Sequence, residues 1–249
     1  MMSLRTSLEL DMLILDSCWQ LIAGVNGYKS EIGEELVTQA ATGRNFQIIH
    51  IPFSSNDILN NKQRIYVRLL EDGYNCWLKV SEILGKALLL ESWQPDLLNN
   101  KQIKARIPKV LQWLEKRATF PNQYLWGGTI GPDFDCSGLV QSAFASEGIW
   151  LPRDAYQQEK FCQRIEFSLE NYQFLKPGDL LFFGTQEICN HVAVYIGNGS
   201  YCHSSGATNG SNGIAINTFN DIDTVSSYYQ SLFRSAGRVE RCHDGSKLS

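Results

Sequence analysis

The chain is short of several things, and each shortage removes a class of protein. No stretch reaches the roughly 18 uncharged apolar residues that a membrane-crossing helix requires, so no spanning segment is expected. Glu9, Asp11 and Asp16 interrupt every N-terminal window in which a signal peptide would need an uncharged run. Asp16 likewise spoils Leu15-Asp16-Ser17-Cys18 as a lipid-attachment box, and a cytoplasmic location is the expectation. Neither sign of charge dominates: 22 Lys and Arg face 26 Asp and Glu, a net charge of -4. That field is too weak to gather nucleic acid or an anionic membrane. The seven cysteines, at 18, 76, 136, 162, 189, 202 and 242, are odd in number and contain no CxxC pair. Neither a disulfide framework nor a zinc ribbon is indicated, and reduced thiols fit best. No HExxH motif, internal repeat or low-complexity tract is present.

What is present suits two modest cores. A length of 249 residues allows between one and two domains, and 43% apolar with 11% aromatic residues is the profile of a folded chain. Between Ser30 and Glu82 short strand-like runs at 34–38, 45–51 and 64–69 alternate with turn signals at Gly33, Thr42-Gly43, Ser54-Ser55-Asn56-Asp57 and Asp72-Gly73. Such spacing reads as a small β-barrel. Ile65, Val67 and Leu69 alternate with Tyr66 and Arg68, which marks a half-buried strand turned by Asp72-Gly73 towards 76–80.

Residues 85–100 lack a clean period and contain Pro95, which places the connection there and the domains at 1–90 and 91–249. Beyond it, Val110, Leu111 and Leu114 predict an amphipathic helix over 108–117 with Pro108 in its first turn. A second helix is predicted from Cys136 to about Glu147, stopped by Gly148. Strands follow at 179–183, 191–196 and 199–203, joined by Pro177-Gly178 and Gly197-Asn198-Gly199 turns. Helices followed by consecutive strands give an α+β fold with an antiparallel sheet. The tail after Val239 is expected to be loose.

The chemistry gathers around a few residues. A glycine-rich loop delivers Cys136 to the first turn of a helix, where unpaired backbone N–H groups and the helix dipole favour a thiolate, the form that attacks a carbonyl. A buried Cys also serves as a small hydrophobe, so both readings stand on position alone. Four histidines exist, at 50, 191, 203 and 243. In His191-Val-Ala-Val-Tyr-Ile, His191 shares a face with Ala193 and Tyr195, opposite Val192, Val194 and Ile196. His203 lies past the Gly-Asn-Gly turn on what should be the neighbouring strand, where the two imidazoles can meet and His203 can orient His191 as a base for Cys136. Packed structural histidines and a metal pair are the alternatives. A metal would need a third ligand of matching type, and Cys202 points away from His203. His50 and His243 carry no indicated role.

These residues lie in the runs LWGGTIGPDFDCSGLVQ, PGDLLFF, HVAVYIGNG and YCHSSG. Together they resemble the NlpC/P60 family of papain-like cysteine peptidases, which cleave peptides of bacterial cell walls, across about residues 101–237. Ala193 stands where the family often has Gly. The resemblance implies a papain-like catalytic domain preceded by a small SH3-like β-barrel, with Cys136 as nucleophile, His191 as base and His203 as orienting residue. It adds Tyr124, with the Cys136 backbone N–H, at the oxyanion site. The order Cys, His, His disfavours a circularly permuted relative such as the lecithin:retinol acyltransferase-like enzymes.

The two-domain layout is similar to cyanobacterial-type γ-D-glutamyl-L-diamino acid endopeptidases. There the barrel closes the non-primed end of the cleft, so that only a peptide with a free N-terminal L-Ala fits. That implies an acidic group for the ammonium, assigned to Asp135, and a barrel tyrosine, Tyr74 or alternatively Tyr66. Asp135 also suits a helix N-cap. Ser137 is assigned to the substrate backbone or D-Glu carboxylate, and Arg153, read as exposed, to an acidic substrate group. The implied substrate is a short cell-wall peptide such as L-Ala-γ-D-Glu-diamino acid, with diaminopimelate or Lys at the scissile bond, met during muropeptide recycling. No metal or organic cofactor is implied, and the oligomeric state is open. A papain-like amidase or acyltransferase and a non-catalytic wall-binding module are the rival readings.

Overall fold

In the computed structural model, which describes residues 6–53, 62–166 and 173–246, the early strand-like runs pair into one antiparallel sheet. Its strands are β1 (Cys18–Leu21), β2 (Val25–Tyr28), β3 (Leu36–Ala40), β4 (Asn45–His50), β5 (Arg64–Leu69), β6 (Asn75–Lys79) and β7 (Ala87–Leu90), in the order β3-β2-β6-β5-β4-β1-β7. A single turn, α1 (Val80–Ile83), precedes β7. The alternation in β5 is realised: Ile65, Val67 and Leu69 are buried, while Tyr66 and Arg68 are half-exposed. They pack with Trp19, Phe46, Ile48 and Leu78. The Asp72-Gly73 turn is held by Arg44, whose guanidinium donates to Glu71 at 2.8 Å and Asp72 at 2.9 Å, and Gly73 takes the left-handed φ of +67° that a side chain disfavours. The turn signal at Ser54–Asp57 lies outside the described residues.

Two compact units result, Met1–Pro95 with Asp244–Ser249, and Asp96–His243. The stretch expected to be a connection therefore contains a strand. β7 pairs antiparallel with β1, Ala87 opposite Leu21 and Leu89 opposite Trp19. An Ala-Leu-Leu-Leu run has no period of its own, and backbone pairing with an otherwise open strand decides its conformation.

The second unit opens with α2 (Asn100–Ala118). Asn99 and Gln102 form a reciprocal capping box at 2.9 and 3.0 Å, so the helix begins eight residues ahead of the predicted start. Pro108 is consequently inside the helix and not in its first turn. A proline there forfeits one backbone hydrogen bond, against which stand the cap and the buried side chains of Ile103, Val110 and Leu114.

Helices α3 (Cys136–Ala145) and α4 (Ala155–Phe161) follow. Then come the strands β8 (Gln163–Ile165), β9 (Leu180–Gly184), β10 (Cys189–Gly197), β11 (Ser200–Ser205) and β12 (Gly213–Thr218), with α5 (Thr224–Ser231) before β13 (Phe233–Arg238). They make a six-stranded antiparallel sheet ordered β12-β11-β10-β9-β13-β8. Period-two alternation splits its side chains between two cores. Leu180, Phe182, Val192 and Val194 pack with Leu139, Val140 and Phe144 of α3, while Leu181, Phe183, Ala193 and Tyr195 pack with Tyr201 and with Tyr229 of α5.

The segment after Val239 is packed where a loose tail was expected. Cys242 and His243 are buried, the His243 N–H donates to Trp150 O at 2.8 Å, and its ring lies 5.8 Å from that of Phe161. Aromatic contact and burial at the chain's end are not visible in local composition. Among the described residues no helix is long and apolar enough to cross a membrane.

Candidate active site

The site is built from a loop folded against a helix end. Asp135 caps α3, accepting from the Gly138 N–H at 2.6 Å. Its other oxygen accepts from the Gly127 N–H at 2.8 Å, which ties the glycine-rich loop to the same carboxylate. Gly138 is required by close approach: a Cβ there would stand 2.1 Å from the carbonyl oxygen of Gly128. Cys136 is thereby fixed as the first helical residue, where its N–H has no helical partner.

Arg153, read as an exposed substrate contact, is buried at 1% exposure. Its guanidinium forks onto Asp135 at 3.1 and 2.5 Å and reaches Ser137 Oγ at 3.0 Å. The Ser137 hydroxyl donates in turn to Asp135 at 3.3 Å. These three side chains are occupied with one another, because polar and charged groups this buried need a partner for each of their hydrogen-bonding sites. The free acidic group and the exposed arginine expected of Asp135 and Arg153 are thus replaced by an internal ion pair that holds the loop, and Ser137 is one of its members.

The Cys136 Sγ lies against the backbone on either side of His191. It stands 4.0 Å from Asn190 O and accepts from the N–H groups of Val192 and Ser137. Strand pairing places Val194 opposite Cys202, so His191 and His203 meet diagonally across β10 and β11. His191 Nε2 is 2.8 Å from His203 Nδ1. His203 Nε2 is 2.9 Å from Asn217 Oδ1 on β12, and Asn217 Nδ2 donates to Ser226 Oγ on α5 at 3.1 Å. The Tyr229 ring covers His191 at 4.4 Å between centroids.

Burial dominates the electrostatics. It pushes the Cys136 thiol up to about 12, with the Asp135 charge adding to the rise and two backbone N–H groups and Arg153 opposing it. Burial, then the neighbouring His203, holds His191 well below its ordinary value. Burial also lowers His203 to about 4 against the opposing Asn217 hydrogen bond. The lowered thiol expected from the helix N-terminus is not found, since desolvation of a buried sulfur outweighs one helix end. Burial thus biases both the thiol and the imidazole towards their uncharged forms. Burial likewise raises the half-buried Tyr124 phenol, with Cys136 next in effect, so it keeps its proton as a hydrogen-bond donor.

The lowered histidines set a pH dependence of stability. Between the ordinary value of 6.5 and about 4 the unfolded chain binds a proton at position 203 that the native chain does not, so unfolding free energy rises with pH through this window. Stability falls as the solution is acidified below about pH 6.5, by about 3 kcal/mol from His203 alone by pH 4. Urea midpoints of the wild type and of His203→Gln between pH 4 and 7.5 check this. The variant's curve should be flatter, and equal slopes would exclude the buried neutral imidazole.

Tyr74 and Tyr66 lie in the first unit. The Tyr74 N–H donates to Asp72 Oδ1 at 3.1 Å, and the Tyr66 ring packs on Trp77 at 5.1 Å. Among the described residues no cluster of three or more His, Cys, Asp or Glu is arranged to hold a metal ion. Asn217, Ser226 and Tyr229 escaped sequence reading. The alternation Gly213-Ile-Ala-Ile-Asn-Thr was the available signal, since it puts Ala215 and Asn217 on one face.

A thiol at a helix start, with two linked imidazoles on adjacent strands, defines a cysteine hydrolase centre of papain type. Residues 121–238 match the NlpC/P60 family, and residues 28–83 match the bacterial dipeptidyl-peptidase Sh3 domain. The chain is 31% identical over 146 residues to murein DD-endopeptidase MepS/murein LD-carboxypeptidase of Escherichia coli K12, covering 58% of this chain and 67% of that one. It is 35% identical over 137 residues to the γ-D-glutamyl-L-lysine dipeptidyl-peptidase of Bacillus subtilis 168, covering 54% of this chain and 42% of the relative. The chain spans less than half the length of that relative. A solved NlpC/P60 family protein of Bacillus cereus ATCC 10987 superposes with a TM-score of 0.45 at 21% identity, covering 90% of this chain and 64% of the other. The chain belongs to the NlpC/P60 family of cysteine peptidases and carries an N-terminal bacterial SH3 domain.

Proposed function

We propose that the protein is a cysteine endopeptidase that hydrolyses the γ-D-glutamyl to diamino-acid bond of short cell-wall peptides, in muropeptide recycling in the cytoplasm. The observation that carries this reading is the 2.8 Å contact between His191 Nε2 and His203 Nδ1 beside the Cys136 sulfur. With Nε2 engaged by His203, His191 Nδ1 is the nitrogen left to take the thiol proton as sulfur attacks the carbonyl carbon. The Cys136 backbone N–H and the Tyr124 hydroxyl stabilise the resulting oxyanion. His191 then returns its proton to the leaving amine, and water releases the acyl group from sulfur. The names of the relatives, a γ-D-glutamyl-L-lysine dipeptidyl-peptidase and a murein endopeptidase, support a peptide of the bacterial wall as substrate.

A free N-terminal L-Ala is the second element of the proposal. Mass spectrometry of L-Ala-γ-D-Glu-diaminopimelate incubated with the full chain should show release of diaminopimelate. Acetylating the alanine nitrogen should lower kcat/KM by about 100-fold, the scale of removing one partner of a desolvated charged contact. Equal cleavage of the capped peptide would remove the ammonium subsite while leaving the peptidase. Binding to intact sacculi without hydrolysis of any soluble peptide would favour a wall-binding module, and release of a non-peptide amine or an acyl-transfer product would favour an amidase or acyltransferase.

A further inference from the structure

The hydrogen-bonded row does not end at the second histidine. On β11 and β12, His203 pairs with Ala215 and Tyr201 with Asn217. Asn217 therefore stands one diagonal step beyond His203, as His203 stands one diagonal step beyond His191. All three side chains lie on one face of the sheet, and α5 adds Ser226, which is fully buried. Asp223, the N-cap of α5, accepts from the backbone N–H of Val225 at 2.9 Å and of Ser226 at 3.1 Å, and from the Ser226 hydroxyl as well.

Each link fixes the direction of the next. A carboxylate only accepts, so Ser226 spends its single proton on Asp223 and its oxygen must accept from Asn217 Nδ2. The Asn217 amide is thereby oriented with its carbonyl towards His203. An amide oxygen cannot donate, so His203 must carry its proton on Nε2, which leaves Nδ1 bare. A bare Nδ1 can only accept from His191, which must then be protonated on Nε2 and bare on Nδ1, the nitrogen the peptidase step uses as a base.

We propose that Asn217, held by Ser226 and Asp223, is a positioning residue that sets the tautomers of both imidazoles and so presents His191 to Cys136 as an acceptor. The row lies wholly within the second unit. A third group that merely orients a ring would hold with either proton arrangement; this row permits one. The consequence for turnover rests on the peptidase reading, whereas the proton arrangement rests on the hydrogen bonds alone.

The test separates the two. Nitrogen-15 NMR of the histidine-labelled full chain at pH 7.5 reports which ring nitrogen carries the proton, without any substrate. His191 and His203 should both be protonated on Nε2. Asn217→Leu removes the acceptor, frees His203 to carry its proton on Nδ1, and should move His191 to the Nδ1-protonated form. In the same variant kcat on the tripeptide should fall by about 100-fold, the lower range of what a general base contributes, with KM changed by less than about threefold. Asn217→Asp keeps an acceptor and should recover the Nε2 tautomers and most of kcat. Ser226→Ala, which touches neither ring, should give a mixture of tautomers.

A wild type with His203 protonated on Nδ1 overturns the proposal, and that measurement needs no variant to fold. Unchanged tautomers in Asn217→Leu overturn it equally. A wild type inactive on the tripeptide but with both rings protonated on Nε2 would remove the peptidase reading and leave the positioning role intact.

Discussion

Cys136→Ala is expected to lower turnover of the tripeptide by about 10⁴-fold or more, the scale seen when a nucleophile is removed from a covalent mechanism. The bond to be broken is an amide, and neither imidazole replaces the sulfur: His191 and His203 are engaged with each other and with Asn217, and Tyr124 keeps its proton. Folding should survive the change. The sulfur's contact with Asn190 O is a long 4.0 Å, and an alanine at the first position of α3 leaves the Asp135 cap in place. A stability change within about 1 kcal/mol is expected, read from thermal unfolding beside the mass-spectrometric assay. Turnover retained by a well-folded Cys136→Ala would remove the nucleophile and with it the acyl-enzyme route.

The parts of this fold legible in the sequence were those in which one residue's identity fixes its environment. Ile65, Val67 and Leu69 announce a strand because period-two burial leaves few alternatives, and Cys136, His191 and His203 stand out because one of seven cysteines opens a helix behind a glycine-rich loop and two of only four histidines fall on consecutive strands. What was hidden depends on partners far away in the chain. Nothing near Arg153 says that it will be buried, since its carboxylate is 18 residues earlier. Pro108 reads as a helix start until the Asn99 and Gln102 cap moves the start upstream. Asn217 is one polar residue in a strand of mixed character, and its role exists only because β12 is laid beside β11 with His203 one step off register. The pKa of Cys136 follows the same rule. Position at a helix end is local and argues for a thiolate, whereas burial is a property of the assembled core and prevails.

Arg153→Met is expected to destabilise the second unit far more than Cys136→Ala does. The guanidinium and the Asp135 carboxylate have side-chain exposures of 1% and 8%, and both Nη atoms are spent on Asp135, the fork geometry that lysine cannot reproduce. Removing the cation leaves a buried carboxylate with its backbone donors but no counter-charge, a change that costs about 3–5 kcal/mol. At about 2–4 °C per kcal/mol for a chain of this size, the unfolding midpoint of this unit should drop by roughly 10 °C. Activity should fall with it even where the protein remains folded. The same carboxylate fixes Gly127 and the first turn of α3, and Arg153 is one of the few influences that lower the Cys136 thiol. The double variant Asp135→Asn with Arg153→Met separates a charge effect from a packing effect. Asparagine still caps the helix without bringing a charge into the core, so the pair should be more stable than Arg153→Met alone. A double variant no more stable than the single one would mean that the methylene stem of Arg153, and not its charge, holds the loop against α3.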